Sequence, residues 1–134
     1  MDVQCPCGAV TVRIEGEPIA QFYCHCKDCQ RAHGAVYVPE SIYAGPAVTI
    51  VGEVTTWKSQ RTPRYSCAKC SARLVADVPE AGLRGVPAAL LPADAFKPTI
   101  HIHCESARLP VKDDLPHFKT MPAMFGGEDV MVAW

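Results

Sequence analysis

The stretch FYCHCKDCQRAHG, residues 22–34, places cysteines at positions 24, 26 and 29. A hydrophobic core does not need sulfur at that density. Thiols two and three residues apart are also poorly placed for the separation a disulfide requires. Short spacings of this kind are what a metal ion needs, because ligands from one tight turn converge on one side of it. A short helix is expected to begin near Cys26, to run through KDCQRAH, and to stop at Gly34.

Working outward, four more cysteines fall into two further clusters, Cys5-x-Cys7 and Cys67-x-x-Cys70, and Cys104 stands alone. Two pairs and a triplet partition economically into one site of four thiolates and one of three. A closed tetrahedral site of four thiolates is structural, whereas three protein ligands leave a position for water or substrate. Gly8, after Cys7, gives the first turn conformational freedom. Ser71 follows Cys70, where such a turn often carries glycine. The competing readings are redox CxxC pairs and a disulfide framework. Three clusters at these spacings favour metal, and thiolates at mixed spacing without a CxxCxxC run favour zinc over iron–sulfur chemistry.

The length of 134 residues suggests one domain, 1–134. Hydrophobic residues make up 49% and charged residues 20%, an ordinary globular composition. A net charge of −1 and the lack of any Lys/Arg run argue against a nucleic-acid partner. No apolar run approaches the roughly 18 residues of a membrane helix, so no membrane association is expected. MDVQCPCGAV does not read as a secretory signal. A cytoplasmic protein is therefore expected, in which clustered thiols stay reduced and bind metal or do chemistry.

Between the clusters the pattern is mainly β. AVTVRIEG alternates, with Val10, Val12 and Ile14 on one face. AVTIVG and EVTTWKS are β-branched runs, read as a hairpin about Gly52-Glu53. PRYSC, ARLVADV and PTIHIHC read as further strands. PEAGLRGVPAALLPADAF has room for a short strand, a turn and a little helix, and the chain beyond Glu105 reads as irregular.

With these residues in view, the chain resembles the glutathione-dependent formaldehyde-activating enzyme family, which also includes centromere protein V-like proteins. The resembling pieces, CPCGAVTVRIEG, YCHCKDCQRAHGA, RYSCAKCSARL and PTIHIHCES, span roughly residues 5–106 in order. The resemblance implies a β-tent fold of short antiparallel sheets pinned by two zinc ions per chain. It implies that Cys5, Cys7, Cys67 and Cys70 hold a structural zinc, and that Cys24, Cys26 and Cys29 hold a catalytic one. It implies carbon–sulfur lyase or synthase chemistry on a small thiol adduct, of the type glutathione plus formaldehyde giving S-hydroxymethylglutathione.

Several residues near the triplet admit two readings each. Lys27 and Arg31 either form a solvated helix face or grip a substrate carboxylate, and are the candidate substrate-binding residues. His25, between two candidate ligands, is an acid/base group, a hydrogen-bond donor that supports the metal site, or an exposed residue pointing away from its neighbours. His33 suits a helix end. His101 and His103 are expected on one strand face, at the surface or a pocket rim, with Ile100, Ile102 and Cys104 turned into the core. His117 carries no signal, and Cys104 reads as a buried core thiol. The alternatives to an enzyme are a non-catalytic thiol carrier, with glutathione as partner, and a zinc-stabilised protein-interaction module.

Overall fold

Val10, Val12 and Ile14 are 2% exposed or less, and their burial organises one half of the molecule. The computed structural model describes residues 1–59 and 62–134. In chain order it contains β1 (Asp2–Gln4), β2 (Thr11–Ile14), β3 (Ala20–Cys24), α1 (Lys27–His33), β4 (Val38–Ala44), β5 (Val48–Val51), β6 (Val54–Ser59), β7 (Thr62–Cys67), β8 (Arg73–Val78), β9 (Leu83–Pro87) and β10 (Ile100–Ile102). The class is mainly β with one short α-helix among the described residues, as the sequence suggests.

The chain forms two compact units, Met1–Ala20 with Ser41–Phe96, and Gln21–Glu40 with Lys97–Trp134. In the first unit β2 lies between β1 and β5, antiparallel to both, in register Val3↔Val12↔Ile50. The strands β6, β7, β8 and β9 form an antiparallel run, with Val54 opposite Cys67 and Ala76 opposite Gly85. Val3, Val10, Val12, Ile14, Tyr43, Val48, Leu74, Val75, Val86 and Leu91 close one apolar core, which also takes in Cys5 and Cys67. Two cysteine-bearing turns are thus rooted in one core.

The expected β5–β6 hairpin is not formed. β5 pairs with β2, and β6 with β7. Gly52, at φ 129°, redirects the chain instead; a Cβ there would lie 2.6 Å from the Ala9 carbonyl oxygen. The β-branched runs name the strands correctly, but a turn sequence does not by itself choose a strand's partner.

In the second unit β3 and β10 pair in parallel, with Phe22 opposite Ile100 and Cys24 opposite Ile102. β3 ends at the cysteine segment and α1 follows at once. α1 begins at its N-cap Cys26, whose sulfur accepts from the Cys29 N–H, and ends at Gly34 in the left-handed conformation. β4 leads the chain from this unit into the first. Its alternation is obscured because Glu40 and Ser41, both buried, sit side by side in it.

Candidate metal centres and active site

The four-cysteine group is built from two turns of the first unit. Gly8, at φ 78°, donates its N–H to the Cys5 carbonyl; Ser71, at φ 65°, donates to the Cys67 carbonyl. Both turns therefore use a left-handed residue directly after the cysteine pair, and Ser71 holds it without glycine's freedom. The Val10 N–H donates to Cys5 Sγ, and the Lys69 and Cys70 N–H groups donate to Cys67 Sγ. Cys5 and Cys67 are buried, Cys7 is exposed and Cys70 lies between.

Cys5 Sγ lies 3.5 Å from Cys7 Sγ, which lies 3.7 Å from Cys67 Sγ. Sulfurs on a tetrahedron around zinc, at bonds of about 2.3 Å, stand about 3.8 Å apart, so this donor set fits. Burial pushes the Cys5 thiol up, but the Val10 N–H and the thiols of Cys7, Cys67 and Cys70 outweigh it and bring it down to about 6. The Ala9 N–H favours ionisation of Cys7, yet burial and its three neighbours leave it raised to about 11. One thiolate suppresses the next unless a cation shares the site.

The triplet lies in the second unit, with the sulfurs of Cys24, Cys26 and Cys29 within 4.8 Å of one another. Its charge pattern is sharper. The Cys24 and Cys29 thiols bring Cys26 down to about 2, while Cys26 and Cys29 hold Cys24 well above its ordinary value. Cys24 lowers Cys29, but Cys26, burial and the Glu40 carboxylate outweigh it and raise Cys29 to about 12. Three sulfurs so placed can all ionise only around a cation, so this donor set also fits a metal. Cys104 is buried and belongs to neither cysteine group.

Lys27 and Arg31, one turn apart on α1, line a cavity of about 310 Å³ together with Gln30 and Arg108. Gln30 fixes this wall: its side chain donates to the carbonyls of His25 and Ser106 and accepts from Arg108 Nε. Arg108 gave no signal in the sequence, because its segment has no period.

The histidines depart furthest from expectation. His25 is fully buried, not exposed, with Nε2 2.9 Å from His101 Nδ1. Burial first, then the neighbouring His101 and His117, lower His25 to about 4, so it is neutral at neutral pH. His101 is also fully buried rather than at the surface. Its strand ends at Ile102, and His103 turns into the left-handed region, so the two do not share a strand face. His117 is buried as well, and His101 Nε2 lies 2.7 Å from Asp113 Oδ2. His33 ends α1 as expected, with Nε2 3.7 Å from the Glu40 carboxylate.

A mainly β chain with one four-thiol and one three-thiol group, each able to hold a metal ion, defines the class. The family model of the glutathione-dependent formaldehyde-activating enzyme matches residues 1–106, and the chain belongs to that family. No curated protein matches it. The fold is similar to that of a Rhodobacter sphaeroides protein, a structural-genomics target known from a crystal structure. The TM-score is 0.57 at 20% identity, covering 69% of this chain and 89% of that one.

Proposed function

We propose that the protein is a zinc-dependent carbon–sulfur lyase and synthase that makes and breaks the bond between formaldehyde and a small thiol of the glutathione type. Two zinc ions are assigned, a structural one to Cys5, Cys7, Cys67 and Cys70 and a catalytic one to Cys24, Cys26 and Cys29. The observation that carries the reading is the pairing on α1. Its N-terminal turn holds Cys26 and Cys29, and its solvent side presents Lys27 and Arg31 to a cavity that Arg108 also lines. Glutathione has a thiol and two carboxylates; α1 carries two of the triplet thiols at its start and two of the cavity's three cations on its exposed side, although no triplet cysteine lines the cavity itself.

When bound, the catalytic ion supplies positive charge that lowers a substrate thiol's pKa and favours its thiolate. The rest falls to the chain. Cys24, Cys26 and Cys29 would hold that ion with three thiolates, one fewer than a closed structural site uses. Lys27, Arg31 and Arg108 bind and orient the carboxylates, with Gln30 keeping Arg108 in place. In the overall reaction the thiol sulfur bonds to the aldehyde carbon and the thiol proton ends on the former carbonyl oxygen; the lyase direction reverses both.

Exchange spectroscopy by NMR on glutathione, formaldehyde and their adduct tests the reading. The zinc-loaded protein is expected to accelerate exchange, and Cys26→Ser to abolish the acceleration. A Lys27→Ala/Arg31→Ala protein is expected to raise KM at least several-fold. Saturable glutathione binding without acceleration would replace the enzyme with a carrier.

A further inference from the structure

We propose that His101, Asp113 and His117 form a further metal centre, a two-histidine, one-carboxylate site for a divalent transition cation such as Zn²⁺, Co²⁺ or Fe²⁺. It lies wholly within the second unit and uses none of the cysteines. It does not depend on the thiol reading.

The backbone brings these residues together from separate segments. The His101 N–H donates to the Pro116 carbonyl and the Phe118 N–H to the His101 carbonyl, forming a parallel bridge between His101 and His117. Asp113 lies one helical-turn spacing before His117, and its Oδ1 accepts the Leu115 N–H. His101 Nε2 is 2.7 Å from Oδ2, and His117 Nε2 is 3.0 Å from Oδ1. Ligand atoms on a tetrahedron with bonds of about 2.1 Å stand about 3.4 Å apart; the three donor groups lie within 4.8 Å of one another, so modest side-chain movement closes them on an ion.

Three observations favour a cation over a bare hydrogen-bonded network. First, His117 Nε2 is buried and has no aligned hydrogen bond, although Asp113 Oδ1 is close. A buried nitrogen of this kind calls for a partner, and a metal ion on its lone pair is one. Second, the other nitrogen of His101 meets His25 Nε2 at 2.9 Å. With its proton on Nδ1 and donated to His25, His101 keeps a lone pair on Nε2 for the ion; an outer hydrogen bond orients metal-bound histidines in the same way. Third, the ion-pair contacts of Asp113 among the described residues are to these two histidines, with no Lys or Arg.

The rings are also held in place. Tyr23 stacks on His101 at 4.8 Å, and Trp134 packs against His117 at 4.9 Å. The side chain of Asp113 is 32% exposed, against 0% and 8% for the histidines, so the carboxylate side is the entry path and the place for water ligands. Two imidazoles and one carboxylate, with open positions, suit borderline cations rather than the soft ions that thiolates select.

The test is metal content of the full chain after dialysis against zinc. Wild type is expected to hold one zinc equivalent per chain more than Asp113→Asn and more than His117→Gln, and Cys26→Ser is expected to keep that equivalent. Equal content in wild type and both variants overturns the proposal. A second measurement needs no variant: the zinc-loaded wild type is dialysed and then titrated with Co²⁺ after mild removal of weakly held zinc. One cobalt equivalent with ligand-field bands and no thiolate-to-cobalt charge-transfer absorption is expected. No uptake, or uptake accompanied by that thiolate band, refutes the site.

Discussion

Cys67→Ser removes one sulfur from the four-cysteine group, and its cost is set by the chain it ties. Cys7 and Cys67 are 60 residues apart in sequence yet have their sulfurs 3.7 Å apart. Cross-linking a loop of that length removes denatured-state entropy equivalent to about 4 kcal/mol in the chain-entropy treatment. The triplet spans residues 24–29, and the same relation gives only about 2 kcal/mol for so short a loop. Serine cannot replace the ligand, because its hydroxyl does not ionise near neutral pH. It also gives up the N–H···S contacts from Lys69 and Cys70 inside a buried site, with Cys67 only 1% exposed. At about 3 °C per kcal/mol for a chain of this size, a loss of ~4 kcal/mol lowers Tm by about 12 °C. Thermal melts followed by circular dichroism, with metal content measured on the same samples, provide the assay. A strong chelator, which strips both cysteine groups, is expected to bring wild type and mutant to about the same Tm, with the larger fall in the wild type. A Cys67→Ser protein that has lost one metal equivalent but melts within about 2 °C of wild type would refute the structural role of this group.

Cys26→Ser is expected to stay folded, to lose one metal equivalent and to lose any response to added thiol; a melt as depressed as that of Cys67→Ser would show that the division between the two groups is wrong. Cys104→Ala is expected to keep every metal equivalent and to cost about 1 kcal/mol, as a small truncation in the interior does. In the native wild type, Cys104 is expected to resist alkylation at pH 8, because burial, with the Asp113 charge, pushes its thiol up to about 12; rapid labelling at that position by mass spectrometry would contradict this. Ser71→Gly relieves a left-handed residue and is expected to raise stability by up to about 1 kcal/mol with metal content unchanged, and a fall in Tm would count against the turn geometry.

What could be read from the sequence alone was local. The cysteine clusters were legible because thiols of one turn are adjacent in the covalent chain, and their spacing survives whatever the rest of the molecule does. α1 was legible for the same reason, with Cys26 capping it and Gly34 ending it within nine residues. The alternation of Val10, Val12 and Ile14 named a core face correctly, because β2 buries one side and leaves Arg13 exposed on the other. Partners were not legible. Gly52-Glu53 has the look of a hairpin turn, yet β5 and β6 go to different strands, since pairing is decided by which apolar faces meet and not by the turn between them. The histidines show the same limit more strongly. Alternation in PTIHIHC turns the isoleucines inward and the histidines out, which holds only for a strand covered on one side. The parallel pairing of β10 with β3 and the bridge from Pro116–Phe118 bury His101 as completely as its apolar neighbours, and bring it to His25, Asp113 and His117 from across the sequence. Arg108 reaches the cavity of Lys27 and Arg31 because Gln30, 78 residues before it in the chain, accepts its N–H. Such meetings depend on contacts between distant segments, whose loop-closure entropy is repaid only when the whole unit packs, and no short stretch of residues carries a mark of them.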